Sequence, residues 1–111
     1  MTKVTEELIQ EMVAAIAREV EPEAIVLLGS HAMGDARAES DLDLLVIEAE
    51  PFGTGGERRR EMTRLWRALT RFTISKDILV YSREEAERWR DARNHAIARA
   101  LREEKVLYGS L

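Results

Sequence analysis

The chain alternates between segments in which apolar residues recur at helical spacing and short, continuous apolar runs. Over about residues 5–20 the apolar residues stand three and four positions apart, which predicts an amphipathic helix that Pro22 stops. The run Ala24–Leu28 predicts a buried strand that ends at a Gly29–Ser30 turn. A second apolar run predicts another strand over Asp41–Glu48.

The second half of the chain begins with a segment rich in proline and glycine, Glu50–Gly56, which predicts a mobile loop. Helical spacing then returns. Ser82 followed by Glu85 matches a capping box and marks the start of a last helix. The predicted elements are a helix over Glu57–Arg71, a strand over Phe72–Tyr81, a helix from Ser82 to about Glu104, and a short strand or tail at Val106–Tyr108.

This order, α-β-β-α-β-α, predicts an α/β (or α+β) fold with a small mixed sheet in one domain over residues 1–111. The composition, 45% hydrophobic and 34% charged, is typical of a globular protein, and cysteine is absent. No apolar stretch approaches the roughly 18 residues of a membrane span. A net charge of −4 argues against broad nucleic-acid binding. We therefore expect a cytoplasmic protein with no membrane or nucleic-acid partner, while self-association stays open.

Several residues on the helices have two interpretations. Trp66 and Trp89 fall on apolar faces and are predicted to be core residues. Arg90 and Arg93 lie beside Trp89 on the inward side of the last predicted helix. Because a buried arginine needs a partner, one of them could pair with a carboxylate or nucleotide in the site. His95 is predicted to be a surface residue. A stripe of arginines on the opposite face of the second helix is either solvated or contacts RNA or an acidic partner; it consists of Arg60, Arg64, Arg67 and Arg71.

Three acids fall on predicted strands, next to apolar runs. Asp41 and Asp43 are two residues apart, so their side chains project from the same side of a strand. Two like charges roughly 4 Å apart repel by about 4 kcal/mol at an effective dielectric near 20, a cost that a divalent cation removes. Oxygen ligands favour Mg²⁺ or Mn²⁺ over zinc. A third acid, Asp77, precedes the apolar run Ile78–Val80.

Gly29–Ser30, ten intervening residues and then Asp41-Leu42-Asp43 before an aliphatic run resemble the signature of the DNA polymerase β-like nucleotidyltransferase superfamily. The short length is similar to its minimal nucleotidyltransferase branch. The resemblance implies that Gly29 and Ser30 hold a triphosphate. It also implies that Asp41 and Asp43 bind two metal ions, and that Asp77 completes the second metal site and helps to activate the attacking hydroxyl.

The resemblance further implies transfer of AMP from ATP to a hydroxyl of a small helical partner protein of the HEPN type, in a toxin–antitoxin pair. One departure concerns a basic residue that family members often carry shortly after the serine, where this chain has Ala32 and Met33. Either His31 or Arg37 takes that role, or triphosphate binding is weaker than in the family. The alternative function is a non-catalytic module with the same fold that neutralises a partner by binding alone.

Overall fold

A computed structural model describes residues 4–29, 31, 41–90 and 105–110, with only the backbone at residues 89 and 90. Ser30, Arg37, Arg93 and His95 lie outside the described residues, as do the side chains of Trp89 and Arg90 and the predicted helix beyond residue 90. The described helices are α1 (Glu6–Val20), α2 (Glu57–Ala68) and α3 (Arg83–Arg90), and the strands are β1 (Ala24–Leu28), β2 (Leu42–Glu48), β3 (Lys76–Ser82) and β4 (Lys105–Gly109).

The four strands form one mixed sheet in the order β3-β2-β1-β4. β1 pairs antiparallel with both β2 and β4, whereas β2 and β3 are parallel. The predicted α/β class with a mixed sheet is confirmed. The terminal segment, which the sequence left as a strand or a tail, is the edge strand β4. β3 forms the opposite edge.

Both faces of the sheet are covered, which explains why β1 and the middle of β2 are apolar at every position. On one face, Ile25, Leu27, Leu44 and Val46 pack in a core with residues of α1 and α2. On the other face, alternate residues of the same strands pack around Ala86 of α3; they are Ala24, Val26, Leu28, Leu45 and Ile47.

Local signals set the helix boundaries. The Thr5 hydroxyl accepts a hydrogen bond from the Leu8 amide at 3.1 Å and caps α1. α1 ends where Glu21 takes a left-handed conformation with φ of 48°, one residue before Pro22. The capping box of α3 is confirmed, since the Glu85 amide donates to the Ser82 hydroxyl at 3.1 Å and the Ser82 amide donates to the Glu85 carboxylate at 3.0 Å. Within the described residues, no helix is long and apolar enough to cross a membrane.

Three predictions about the α2–β3 region were wrong. α2 ends at Ala68 rather than Arg71, and β3 begins at Lys76 rather than Phe72. Phe72 is buried as a strand residue would be, but it lies in the connection, where its amide donates to the Leu69 carbonyl at 3.0 Å. Trp66 is not a core residue, because 40% of it is exposed. The buried side of α2 is centred on Leu65 and Leu69, and Trp66 projects about 100° away from Leu65.

The predicted arginine stripe of α2 is mostly engaged within the protein. Arg64 forms an ion pair with Glu19 at 3.3 Å, which links α2 to α1, and a second ion pair with Glu61 of α2 at 3.2 Å. Arg64 therefore helps to hold the two helices together instead of standing wholly in solvent. Two more of its residues make contacts: Arg60 with Glu57 at 3.8 Å, and Arg71 with the Phe72 ring, 4.4 Å from its centroid.

Candidate active site

Two carboxylates stand side by side on the parallel strand pair formed by β2 and the edge strand β3. Asp43 is the second residue of β2 and Asp77 is the second residue of β3, and the ladder places them directly opposite each other. Paired residues on adjacent strands project from the same face of a sheet, and the strands lie about 4.8 Å apart. Asp41 precedes β2 by one residue, two positions before Asp43. The fold thus brings all three predicted acids to the end of the sheet at which β2 and β3 begin.

The surroundings of Asp43 disfavour its negative charge. Asp43 is partly buried, whereas Asp41 and Asp77 are exposed. Burial raises the pKa of the Asp43 carboxyl above its usual range, the negative charges of Asp77 and Asp41 raise it further, and His31 lowers it in part. This pattern is that of a site suited to a cation. It also places His31 within electrostatic reach of Asp43, whereas the predicted contact of His31 with phosphate stays a prediction.

Gly29 follows the last residue of β1 and lies directly against Asp43. Its φ of 72° lies in the left-handed region, which favours glycine. A Cβ atom on this residue would fall 2.6 Å from Oδ2 of Asp43, closer than real Cβ contacts allow. The absence of a side chain therefore keeps the space beside the carboxylate open and leaves the backbone accessible to a ligand.

A hydroxyl that the sequence did not single out orients Asp41. The Ser75 hydroxyl donates to Oδ1 of Asp41, and the Leu42 amide donates to the Ser75 carbonyl at 2.9 Å. Ser75 thereby joins the start of β2 to the connection that leads to Asp77. Its only sequence signal was its position two residues before Asp77.

The residues present fit a divalent cation, although they do not enclose one by themselves. Within the described part of the chain, no three side chains of His, Asp or Glu are gathered closely enough to hold a metal ion. The donors that the site does offer are carboxylate oxygens, the ligands that Mg²⁺ and Mn²⁺ prefer. Burial and the negative charges of Asp77 and Asp41 raise the pKa of Asp43, and a bound cation would offset the repulsion among these acids. The set of three metal ligands stays a prediction.

A family model described as polymerase beta, nucleotidyltransferase, matches residues 10–110. The chain belongs to this family. The match extends over nearly the whole chain and includes Gly29 and the three acids, so the resemblance carried by the Gly29–Asp43 motif is confirmed. No curated protein sequence matches this nucleotidyltransferase significantly.

Solved structures share the nucleotidyltransferase fold at low sequence identity. A protein of Sulfolobus solfataricus described as a nucleotidyltransferase is 19% identical, with a TM-score of 0.63 over 93% of this chain and 78% of that one. A chain of a toxin–antitoxin structure with AMP-PNP is 21% identical, with a TM-score of 0.55 over 91% and 73%. A chain of the complex of the tri-AMPylated Shewanella oneidensis HEPN toxin with an MNT antitoxin is 18% identical, with a TM-score of 0.53 over 96% and 74%.

Proposed function

We propose that this nucleotidyltransferase transfers AMP from ATP to a hydroxyl group on a partner protein. The observation that carries the proposal is the pairing of Asp43 with Asp77 beside Gly29, where β2 and β3 begin. These residues belong to a nucleotidyltransferase fold. Two adjacent carboxylates supply the oxygen ligands that the divalent cation of a metal-bound triphosphate needs. The glycine supplies a backbone that phosphate oxygens can approach.

Each residue of the site has a role in this reaction. Asp41, Asp43 and Asp77 would hold Mg²⁺ or Mn²⁺, and bound metal supplies neutralisation of the triphosphate and stabilisation of the entering and leaving oxygens. The acceptor oxygen forms a bond to the α-phosphorus, the bond to the bridging oxygen breaks, and pyrophosphate leaves. The acceptor proton passes to Asp77, which is exposed and therefore reachable from outside. Ser75 keeps Asp41 in place through its hydrogen bond.

The nature of the acceptor is proposed from the described complexes. Two of the structures with this fold are toxin–antitoxin structures, one with AMP-PNP and one containing an AMPylated HEPN toxin. Their likeness to this chain is one of fold, and it supports a helical HEPN-type protein as acceptor and ATP as donor. The chain itself would then act as the antitoxin.

The test combines the purified chain, ATP and Mg²⁺ with the protein encoded by the neighbouring gene, and measures the intact mass of that protein. We expect it to gain one or more AMP masses with the wild-type chain and none with Asp43→Asn or Asp77→Asn. Glu50→Gln, an exposed carboxylate in the loop before α2, is the matched control and should retain transfer. If wild type and Asp43→Asn both neutralise the partner and its mass does not change, the chain acts by binding alone and not by catalysis.

A further inference from the structure

The exposed face of α2 carries an open groove beside the β3 edge of the sheet. The groove has a volume of about 500 Å³, and Met62 and Trp66 supply its large apolar side chains. Trp66, 40% exposed, is the larger of the two. The remaining lining residues are Gly56, Arg58, Arg59 and Thr63.

Trp66 is held in one orientation although it is exposed. The Lys76 ammonium lies 5.4 Å from the centroid of the indole ring and donates to the carbonyls of Phe72 at 2.9 Å and Ile74 at 3.4 Å. The two carbonyls anchor the lysine, and its contact with the ring restrains the tryptophan. A pre-oriented tryptophan loses little side-chain entropy on binding, which is the property of an interface anchor.

The groove around Trp66 offers few polar groups that need new partners. The Thr63 hydroxyl donates to the Arg59 carbonyl at 2.9 Å, and the Thr70 hydroxyl donates to the Trp66 carbonyl at 2.9 Å. Both hydroxyls are satisfied by the helix itself. A ligand that covers the groove thus buries apolar surface without leaving these hydroxyls unpaired.

The charge of the groove is positive on a chain whose net charge is −4. Arg58 is neutralised by its ion pair with Glu85. Arg59 and Arg67 are exposed, and neither forms an ion pair with any residue in the described ranges. A second copy of this chain is disfavoured as the occupant, because two-fold symmetry would bring the same arginines together. An apolar surface with acidic neighbours complements the groove.

The position of the groove connects it to the candidate active site. Lys76, which contacts the Trp66 ring, is the residue before Asp77 on β3, an edge strand of the sheet. On the opposite face of β3, Leu79 is 39% exposed two residues beyond Asp77. A protein that covers this edge would contact exposed apolar side chains on both faces of the strand and bring its own surface next to Asp77.

We infer that the α2 groove around Trp66, together with the β3 edge, is the docking surface for the acceptor protein, through an acidic amphipathic helix of that protein. The inference rests on the proposed function for the identity of the acceptor. Docking itself requires neither ATP nor the carboxylates, so it is measurable when no transfer occurs.

The test uses two labelled amphipathic peptides of equal length with the same leucine face, one with glutamates and one with lysines on the polar face. Fluorescence anisotropy measures their binding to the full chain. We expect the glutamate peptide to bind about tenfold or more tighter than the lysine peptide, and Trp66→Ala to weaken it by a similar factor. Arg59→Glu should abolish the preference, because the new negative charge offsets the positive charge of Arg67, whereas Arg18→Glu, the same charge change on the exposed side of α1, should leave it unchanged. Asp43→Asn should bind the glutamate peptide as wild type does.

Other outcomes would overturn the inference. If the glutamate peptide does not bind, or if neither Trp66→Ala nor Arg59→Glu changes its binding, the groove is not a docking surface. A dimer in sedimentation that Trp66→Ala dissociates would assign the groove to a second copy. Binding of single-stranded RNA that depends on Trp66 would assign it to nucleic acid. With the acceptor protein itself, Trp66→Ala should raise KM for the acceptor and leave kcat nearly unchanged, whereas Asp77→Asn should lower kcat.

Discussion

Gly29 and Asp43 are in such close contact that a Cβ atom on the glycine would fall 2.6 Å from Oδ2 of the carboxylate. The contact joins the end of β1 to the start of β2 and explains why residue 29 has no side chain. The same glycine has a positive φ. Both features restrict this position to glycine, for reasons that are independent of any bound nucleotide.

Gly29→Ala should therefore destabilise the protein even without ligand. The left-handed conformation and the collision with Asp43 together should cost about 1–3 kcal/mol of unfolding free energy. Urea denaturation measures the change. Gly55→Ala is the control, because that residue has no positive φ and a new Cβ would meet only the flexible end of Glu57. Equal losses for the two variants would contradict the account given for Gly29.

Asp43→Asn should stabilise the metal-free protein. Because the pKa of Asp43 is raised in the folded state, the unfolded chain releases the proton at lower pH, and stability falls as pH rises through the raised pKa. Removing the charge should add about 1 kcal/mol at neutral pH after solvent screening is allowed for. Mg²⁺ should raise the melting temperature of wild type more than that of the variant. The measurement is a pair of melting curves per protein, with chelator and with millimolar Mg²⁺.

Glu50→Gln, which removes an exposed carboxylate outside the site, provides the comparison for that experiment. It should change neither the stability in chelator nor the response to Mg²⁺. If Asp43→Asn melts below wild type in chelator and Mg²⁺ shifts neither curve, the acids do not form a metal site.

The elements and the acids were predictable from the sequence because they depend on local patterns. The apolar runs of β1 and β2 require burial on both faces, and the spacing of Gly29, Asp41 and Asp43 is a local motif. The pairing of Asp43 with Asp77 was not predictable. It depends on the parallel register of β2 and β3, which a one-residue slip would have destroyed by turning every side chain to the other face.

The errors in the α2–β3 region have the same origin. Phe72 and Ile74 alternate with exposed residues as a strand would, but strand pairing starts only at Lys76, because its partner β2 begins at Leu42. Trp66 lies at the border of the apolar stripe, where helical spacing does not decide between core and surface. Tertiary packing placed Leu65 at the centre of the core and left the tryptophan outside.

Glu48→Gln should reduce the loss of unfolding free energy that the wild type undergoes as pH rises. Burial, a hydrogen bond with Glu61 and the negative charge of Glu61 together raise the pKa of Glu48 from 4.5 to about 8, and the charge of Arg64 offsets part of this rise. Below pH 4.5 both folded and unfolded chains hold this proton. Between pH 4.5 and about 8 only the folded chain holds it, so wild-type stability falls as pH rises. At still higher pH the variant should be more stable than wild type by on the order of 1–2 kcal/mol, after discounting for solvent screening.

Urea denaturation at several pH values measures this effect. Glu50→Gln again serves as the control, since it removes an exposed carboxylate two residues away. Parallel pH profiles of wild type and Glu48→Gln would show that Glu48 titrates in the folded protein as it does in the unfolded chain.

Arg58→Ala should destabilise the contact between α2 and α3. The Arg58 guanidinium lies 4.7 Å from the Phe52 ring centroid and 5.4 Å from that of Tyr81, donates to the Val80 carbonyl at 2.6 Å and pairs with Glu85. Loss of these contacts should cost about 1–3 kcal/mol. Arg59→Ala, the exposed neighbour, should stay within about 0.5 kcal/mol of wild type by urea denaturation.

The loss in Arg58→Ala should also depend on pH. Burial alone would raise the pKa of Glu85, but hydrogen bonds from Ser82 and the Arg58 guanidinium lower it below its usual 4.5. The ion pair therefore contributes stability above that pH and loses it as pH falls through the lowered pKa. The difference between Arg58→Ala and wild type should shrink in acid, and a constant difference would show that packing against the rings accounts for it.

β2 carries a carboxyl with a raised pKa near each end, Asp43 beside Gly29 and Asp77, and Glu48 at the last residue of the strand. The two are five residues apart, about 17 Å along an extended strand and roughly twice the screening distance of physiological salt. The residues between them, Leu44–Ile47, are wholly buried and apolar. The two side chains also project from opposite faces of the sheet, because they stand five positions apart and side chains alternate along a strand. Protonation of one carboxyl therefore changes the charge around the other only slightly, so Asp43 and Glu48 contribute to pH-dependent stability as independent, additive terms.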